Sequence, residues 1–350
     1  MDRMADGGSR RSPMQGGLPP AGVPGGDVVE IACDESGFSG TNLLRSTEPV
    51  ITHASTDLRP AEADTLITAL RAEFRLSPHE LKSGHFLRRP GAGEAAAWFL
   101  AALPGRARVH LVDKEFFLVT RIIDLLLTEP SYTAGTHLAA GSRAGAALVW
   151  RAGRPAGGPW TEFLAAFEDM VRPKRRPPAR PAADRFLRAR DALLRAAPGS
   201  GPVLARLDPA HLRRVLARLD GDDRSIPPPL EPMLPALAET ILHWSRPPGG
   251  GRRRVLVIHD EQSALTAGRL DRLGRALADP ETGVSPLAGL VMADSRDDPR
   301  VQIADLLAGI ARRRTALLPP ALLSPVSLRC PSDQGADSAP GGGLDGNLRH

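Results

Sequence analysis

The chain has 350 residues, of which 42% are hydrophobic and 24% are charged, a composition typical of a folded protein and not of a disordered one. Two cysteines are a poor basis for a disulfide framework or a zinc site, and no apolar run approaches the roughly 18 to 20 residues of a membrane helix. The formal charge of +5 permits a nucleic-acid partner, but only three of the 45 basic residues are lysines, which indicates a general arginine bias. We therefore expect a cytoplasmic protein with no membrane contact.

The first 130 residues predict a disordered tail followed by alternating strands and helices. Residues 1–26 are rich in Gly, Pro and Ser and carry few apolar side chains to offset the entropy of ordering. A short apolar run that ends on Asp34 and Glu35 then predicts a buried strand. This mixture indicates an α/β architecture whose first part covers 27–130. The predicted strands are 28–33, 49–52 and 107–112, the predicted helices are 58–76, 94–103 and 116–127, and 77–86 is a polar loop or short strand.

Residues 131–250 show helical patterns and no clear strand, which predicts a helical insertion or cap. Its basic stretch, 172–180, either contacts phosphates or is a solvated linker. The predicted helices are 160–171, 183–196, 209–219 and 234–244.

Strand patterns resume in 251–317, which we predict to be the second part of the core. Strands are expected at 254–258 and 287–292, with a helix between them that Ser263 caps and that ends at 277. Asp298 and Pro299 are suited to begin a last helix, whose arginines lie at its favourable carboxyl end. Residues 318–350 are again rich in Pro, Gly and Ser and predict a second disordered tail.

Acidic side chains follow several of the predicted strands or lie in nearby loops. Since strand ends converge at one edge of an α/β sheet, clustered carboxylates there predict a site for Mg²⁺ or Mn²⁺, which prefer oxygen ligands. Two such ions can assist phosphodiester cleavage. Asp305 belongs to this set, although an arginine partner is an equally good explanation for a carboxylate on an otherwise apolar helix face. The other acids are Asp34, Glu35, Glu80, Asp113, Asp260, Glu261 and Asp294.

Other common sites lack their motifs. His79 and Glu80 resemble the start of a zinc protease motif, but the next histidine is His85, which does not have the one-turn spacing. A phosphate-binding P-loop and a G-x-S-x-G serine motif are both missing, and 4% aromatic residues are few for stacking bases. Two of the three lysines, Lys82 and Lys114, stand in acidic stretches, where they either position a phosphate or form surface ion pairs.

Five pieces of sequence together resemble Domain of Unknown Function 3800: DESG at 34–37, HELKS at 79–83, VDK at 112–114, HDEQ at 259–262 and DSRDDPRVQIADLLAG at 294–309. Their order and the final Q-x-A-D-L-L-A-G element carry the resemblance, which spans 28–314. It implies a ribonuclease-H-like fold, with a mixed sheet flanked by helices and an acidic centre.

In that superfamily one aspartate comes from the first strand, another from a later strand end and a third from a late helix. The resemblance therefore implies Asp34, Asp260 and Asp305 as catalytic and metal-binding residues, and we add Glu80 as the fourth carboxylate. Glu35 is secondary, because pleating turns neighbouring side chains to opposite faces, whereas a turn at this point could place it on either side. The expected supporting or substrate-binding residues are Glu35, Ser36, Lys82, Lys114, Asp294 and Gln302.

The leading hypothesis is a nuclease, or a related phosphoryl-transfer enzyme, that uses Mg²⁺ or Mn²⁺ on DNA or RNA. The alternative is a non-catalytic module that binds nucleic acid or protein on the same scaffold, because a fold alone does not confer an activity. A third hypothesis is a structural network in which these acids pair with arginines.

Overall fold

A five-stranded mixed sheet with the order β3-β2-β1-β4-β5 is the centre of the fold. β2 is antiparallel to β1 and β3, whereas β4 is parallel to β1 and to β5. The carboxyl ends of β1, β3, β4 and β5 therefore meet at one end of the sheet. The strands are β1 Val28–Ser36, β2 Val50–Thr56, β3 Ala107–Asp113, β4 Arg254–His259 and β5 Leu287–Met292. The computed structural model describes residues 14–38, 40–46, 48–76, 81–136, 142–172, 179–247 and 249–324.

Helices flank this sheet, which confirms the predicted mixed α/β class. The α-helices are α1 Pro60–Glu73, α2 Ser83–Phe86, α3 Ala92–Ala101, α4 Lys114–Leu126, α5 Tyr132–Thr136, α6 Ser142–Gly153, α7 Gly158–Val171, α8 Ala179–Ala196, α9 Gly201–Leu204, α10 Pro209–Asp220, α11 Met233–Trp244, α12 Ala267–Leu277 and α13 Pro299–Arg313. Short 3-10 turns occupy Arg154–Ala156, Pro198–Ser200, Thr315–Leu317 and Pro320–Leu322. None of the helices within the described ranges is long and apolar enough to cross a membrane.

The two faces of the sheet bury separate hydrophobic cores. Side chains of α1, α3 and α13 pack with Ala54 and Val109 on one face. The helices between β3 and β5 pack with Ile31 and Val257 on the other. The predicted insertion is therefore the cover of one sheet face, because its helices share a continuous core with β1 and β4.

The last helix, α13, sits directly on β1 and β2. Ala304, Ala308 and Gly309 of α13 are small, and small side chains permit such close packing. The Thr52 hydroxyl on β2 donates to the Ala308 carbonyl oxygen at 2.8 Å. The predicted capping by Asp298 is confirmed, since its side chain accepts from the Arg300 backbone N–H at 2.9 Å.

Both ends of the described chain pack against edge strands, where the sequence predicts disorder. Leu18 and Leu290 of β5 exchange two backbone hydrogen bonds, each of 2.9 Å. At the opposite edge, the Ser324 N–H donates to the Val109 carbonyl of β3 at 2.8 Å, and Leu322 is fully buried. Pairing with an unsatisfied strand edge gives these Pro-rich segments an order that composition does not reveal.

Several element boundaries differ from the sequence expectation. β1 continues through Ser36, so its two acids belong to the strand and do not follow it. Ser263 is not a helix cap: α12 begins at Ala267 after Thr266, because residues 263–266 form a turn. The helices α5 and α6 have no predicted counterpart, and in the predicted polar loop residues 83–86 form α2 while 77–80 lie outside the described residues.

Candidate active site at the carboxyl end of the sheet

Asp34 and Asp260 are neighbours across two parallel strands. Asp34 lies near the end of β1, and Asp260 directly follows β4. The Asp260 N–H donates to the Cys33 carbonyl oxygen at 3.1 Å, which continues the β1–β4 ladder by one residue and holds the two aspartates side by side. Their common position follows from the parallel pairing, as the sequence predicts for strand ends.

The Asp34 carboxyl group is the most constrained acid of the site. It is only 5% exposed, and burial raises its pKa well above the usual range. The negative charges of Glu35, Asp305 and Asp260 raise the pKa further, in that order, whereas a hydrogen bond from the Glu35 N–H to Oδ1 at 2.7 Å lowers it. Four carboxyl groups therefore share one electrostatic environment, and the other three each disfavour ionisation of Asp34.

Glu35 points to the opposite face of the sheet from Asp34. Its Oε1 accepts a hydrogen bond from Gln262 Nε2 at 2.7 Å. Burial raises its pKa to about 7, and the charges of Asp260 and Glu231 act in the same direction. The predicted pleat alternation is thus confirmed, and Asp260 lies close enough to influence the acids of both faces.

Asp305 reaches the site from α13 on the Asp34 face. Both carboxylate oxygens are hydrogen-bonded to Ser83 at the start of α2: the Ser83 N–H donates to Oδ2 and its hydroxyl donates to Oδ1, each at 2.9 Å. Each oxygen keeps one free acceptor position after these bonds. Within the described ranges the partner of Asp305 is Ser83. The alternative that an arginine pairs with Asp305 is therefore wrong for these ranges.

Gly309 makes the contact between α13 and Ser83 possible. A methyl group at position 309 would lie 2.3 Å from Ser83 Cβ and 2.4 Å from its Oγ. These distances are far shorter than ordinary van der Waals contact. The glycine, one turn after Asp305, thus lets α2 approach closely enough to hold the carboxylate.

An open cavity of about 270 Å³ lies beside Asp260. Burial raises the pKa of Asp260, whereas the positive charge of Lys82 lowers it. The Lys82 ammonium donates to Ser295 Oγ at 2.7 Å, and Asp294 pairs with Arg296 through hydrogen bonds of 2.5 to 3.1 Å. The cavity thus combines acids with two cations, Lys82 and Arg296. Its lining consists of Met14, Lys82, Asp260, Glu261, Asp294, Ser295 and Arg296.

Three predicted supporting residues have other partners. Ser36 Oγ accepts a hydrogen bond from Arg312 Nε at 2.9 Å, and Gln302 Oε1 accepts from Arg71 at 3.5 Å. Lys114 begins α4, where burial lowers its pKa and the nearby charge of Arg312 lowers it further. Ser36 and Gln302 are therefore hydrogen-bonded to arginines, and Lys114 lies close to a like charge.

A chain of buried histidines on the Glu35 face was missed by the sequence reasoning. His259 Nδ1 lies 2.8 Å from the Asp260 carbonyl oxygen, which can only accept, so this nitrogen carries the hydrogen. His259 Nε2 then accepts from His53 Nε2 at 3.3 Å, and His53 Nδ1 accepts from the Thr240 hydroxyl at 3.0 Å. Through His259, the histidine chain holds the Asp260 peptide group in place. The H-D-E-Q stretch was the only sign of this histidine chain in the sequence.

Divalent-cation binding is only partly matched by the described residues. Carboxylate oxygens are hard ligands that suit Mg²⁺ or Mn²⁺, and the carboxylates of this site repel one another. However, the described ranges contain no group of three His, Cys, Asp or Glu side chains arranged to hold a metal ion. Glu80, the predicted fourth carboxylate, lies outside these ranges.

The site thus unites Asp34, Asp260 and Asp305 electrostatically, with Lys82 next to them. No family model, curated protein or solved structure matches this chain, so the evidence for its function comes from its own sequence and structure.

Proposed function

We propose that the protein is a divalent-metal-dependent nuclease, a phosphodiester hydrolase that acts on DNA or RNA. The observation that carries the proposal is the convergence of Asp34, Asp260 and Asp305, from two adjacent strands and the last helix, in one electrostatic cluster. Buried like charges cost free energy, and a bound cation relieves that cost. The free-energy cost of holding three acids close together is therefore smallest when a cation is bound.

Mg²⁺ or Mn²⁺ would be held by Asp34, Asp260 and Asp305 once these side chains move into a ligand geometry that the described residues do not show, with Glu80 as the fourth ligand of the proposal. When bound, such ions activate water and stabilise the charge that develops on the phosphate oxygens. The Ser83 hydrogen bonds orient the Asp305 carboxylate before any cation binds. Preorganisation of this kind lowers the cost of assembling a site.

Lys82 and Arg296 give the cavity the cations that a phosphodiester requires. Lys82 is already oriented by Ser295, which is 2% exposed. Arg296 presents a planar guanidinium that is held by Asp294. We assign substrate phosphate binding to these two side chains, because lysine and arginine both recognise phosphate oxygens.

We further propose that the mixed sheet is ribonuclease-H-like and that the chain is related to Domain of Unknown Function 3800. The support is positional: one aspartate on the first strand, one at a later strand end and one on a late helix. This is the arrangement that the resemblance implies for Asp34, Asp260 and Asp305.

The test combines metal binding with cleavage. Purified protein is stripped with EDTA, and the melting temperature and the cleavage of labelled DNA and RNA are measured as Mg²⁺ or Mn²⁺ is added. We expect both the melting temperature and the cleavage to rise in the wild type and not in Asp34→Asn. Asp184→Asn, which removes an exposed carboxylate on α8, is the control and should behave as wild type.

Equal cleavage by wild type and Asp34→Asn would refute the proposal. Nucleic-acid binding that weakens with salt, survives Asp34→Asn and leads to no turnover would instead support the non-catalytic binding module. Absence of any metal-dependent stabilisation in the wild type would support a purely structural role for the acids. A Glu80→Gln variant tests the fourth ligand in the same assays.

A further inference from the structure

A second and larger cavity, of about 460 Å³, lies at the opposite end of the sheet from the carboxylates. It forms where β4 begins, between the last turn of α11, the end of α12 and the turn that precedes β5. Six residues of β4 at about 3.3 Å each separate the two ends, so the cavities are about 20 Å apart. Its volume is in the range of small-molecule sites in proteins.

Four arginines line this cavity: Arg246, Arg252, Arg253 and Arg254. Arg252 forms an ion pair with Asp279. The other three have no carboxylate partner among the residues that the structure describes, and Arg246 is exposed there without an acceptor for its side chain. The cavity therefore presents uncompensated positive charge.

Two of these guanidinium groups are held in place by backbone carbonyls. Arg253 Nε donates to the Trp244 carbonyl oxygen at 2.8 Å, and an Arg254 Nη donates to the Leu287 carbonyl oxygen at 3.3 Å. Each group keeps N–H donors for another acceptor, and arginine donors in a planar fork suit phosphate oxygens. Because the backbone carbonyls already hold these arginine side chains, the side chains lose less entropy when an anion binds.

The rest of the lining combines apolar side chains, two acids and three small polar residues. Leu242, Leu277, Val284 and Pro286 supply the apolar side chains of the lining, which we call the apolar wall. Glu281 also lines the cavity, is exposed, and pairs with no cation within the described ranges. A carboxylate in that position accepts hydrogen bonds from hydroxyl groups and disfavours ligands that are anionic throughout.

We propose that this cavity binds a nucleoside phosphate. The phosphate lies against Arg246, Arg253 and Arg254, the base rests on the apolar wall, and sugar hydroxyls donate to Glu281. The ligand is a free nucleotide or the phosphorylated end of a nucleic-acid strand, which share this chemistry. The site is separate from the carboxylate cavity and does not depend on the nuclease activity.

Isothermal titration calorimetry of the full chain in EDTA tests the proposal, with adenosine 5′-monophosphate, adenosine and inorganic phosphate as probes. The monophosphate should bind at least about tenfold more tightly than either fragment, because only it engages both the arginines and the apolar wall. Arg246→Gln should weaken it about tenfold, the worth of one charge-assisted hydrogen-bond pair. Arg195→Gln, an exposed arginine on α8, is the matched control and should leave the affinity unchanged.

Val284→Glu provides a second variant, because Val284 is 54% exposed and its replacement places a carboxylate next to the arginines without disturbing the core. It should abolish binding, whereas Asp34→Asn should not alter it. Equal affinities for the monophosphate and adenosine, no binding, or equal effects of Arg246→Gln and Arg195→Gln would overturn the proposal.

Competition binding experiments identify the source of the nucleotide. A short DNA strand with a 5′ phosphate that displaces the monophosphate, when its 5′-hydroxyl form does not, identifies a strand end. Displacement by mononucleotides alone identifies a free nucleotide. Both results support the recognition chemistry, and they separate the two sources.

Discussion

Replacing Gly309 with alanine is expected to separate α13 from α2 and to loosen the Asp305 carboxylate. The added methyl group would lie 2.3 Å from Ser83 Cβ, whereas ordinary contact begins at 3.4 Å. Ser83 must therefore retreat by about 1 Å or α13 must shift. Either movement lengthens the two 2.9 Å hydrogen bonds to Asp305.

The magnitude follows from two opposing effects. Alanine favours a helix interior by about 1 kcal/mol relative to glycine. Overpacking costs about 1 to 3 kcal/mol, and the shortness of this contact, together with the weakened charge-assisted bonds, favours the upper end of that range. We expect the free energy of unfolding to fall by about 2 kcal/mol and the melting temperature to fall by a few degrees.

Urea denaturation of matched variants measures this effect. Gly145→Ala in α6 is the control, because its methyl group would meet the nearest side chain at an ordinary 3.5 Å. That variant should be neutral or stabilised. In a Ser83→Gly background the nearest remaining Ser83 atom, Cα, is 3.6 Å from the new methyl group, so Gly309→Ala should lose its cost there. An equal loss of stability in both backgrounds would refute the steric explanation.

The remaining predictions concern buried polar groups, each measured by urea denaturation in EDTA. Asp34→Asn should raise the free energy of unfolding at pH 8 by about 1 to 2 kcal/mol, because it removes a carboxyl group whose ionisation is disfavoured by burial and by three other acids; a decrease would contradict this. Burial raises the pKa of Glu231 from its ordinary value of 4.5 to about 7, so the folded state binds this proton more tightly and stability falls as pH rises between these values. Glu231→Gln should flatten that fall, and an unchanged pH slope would count against it. Thr240→Val should cost about 1 to 3 kcal/mol because His53 Nδ1 loses its donor, whereas Thr240→Ser should cost little; equal losses would exclude the hydrogen-bond explanation.

Local sequence patterns were sufficient for much of the fold and for the main acids. Apolar runs identified four of the five strands, whereas β2 was expected only at 49–52, in a less regular stretch, and extends over Val50–Thr56; the convergence of strand ends placed Asp34 beside Asp260. Asp305 was identified as an isolated acid on an apolar helix face. Such features depend on residues close in sequence or on general rules of α/β sheets, which is why composition and spacing predict them.

What could not be predicted depends on contacts between distant segments. His53 meets His259 across an intervening strand, a pairing that requires the sheet order and register to be known. The partner of Asp305 is Ser83, 222 residues away, and it is Gly309 that admits it. Single polar residues carry no periodic signal, so their partners cannot be read from the sequence even where they lie in a stretch that carries the resemblance, such as H-D-E-Q.

The pairing of the segments around Leu18 and Ser324 with the edge strands has a consequence for self-association. An uncovered edge strand offers unpaired N–H and C=O groups to any other extended chain, including a second copy. Leu18 pairs with two of these groups on β5, both of Leu290, and Ser324 pairs with one on β3, the carbonyl of Val109. A version trimmed to residues 27–317, which composition alone recommends, would expose both edges at once and could add strands from either side. We therefore expect the Pro-rich segments around Leu18 and Ser324 to protect the two edges of the sheet from pairing with further strands.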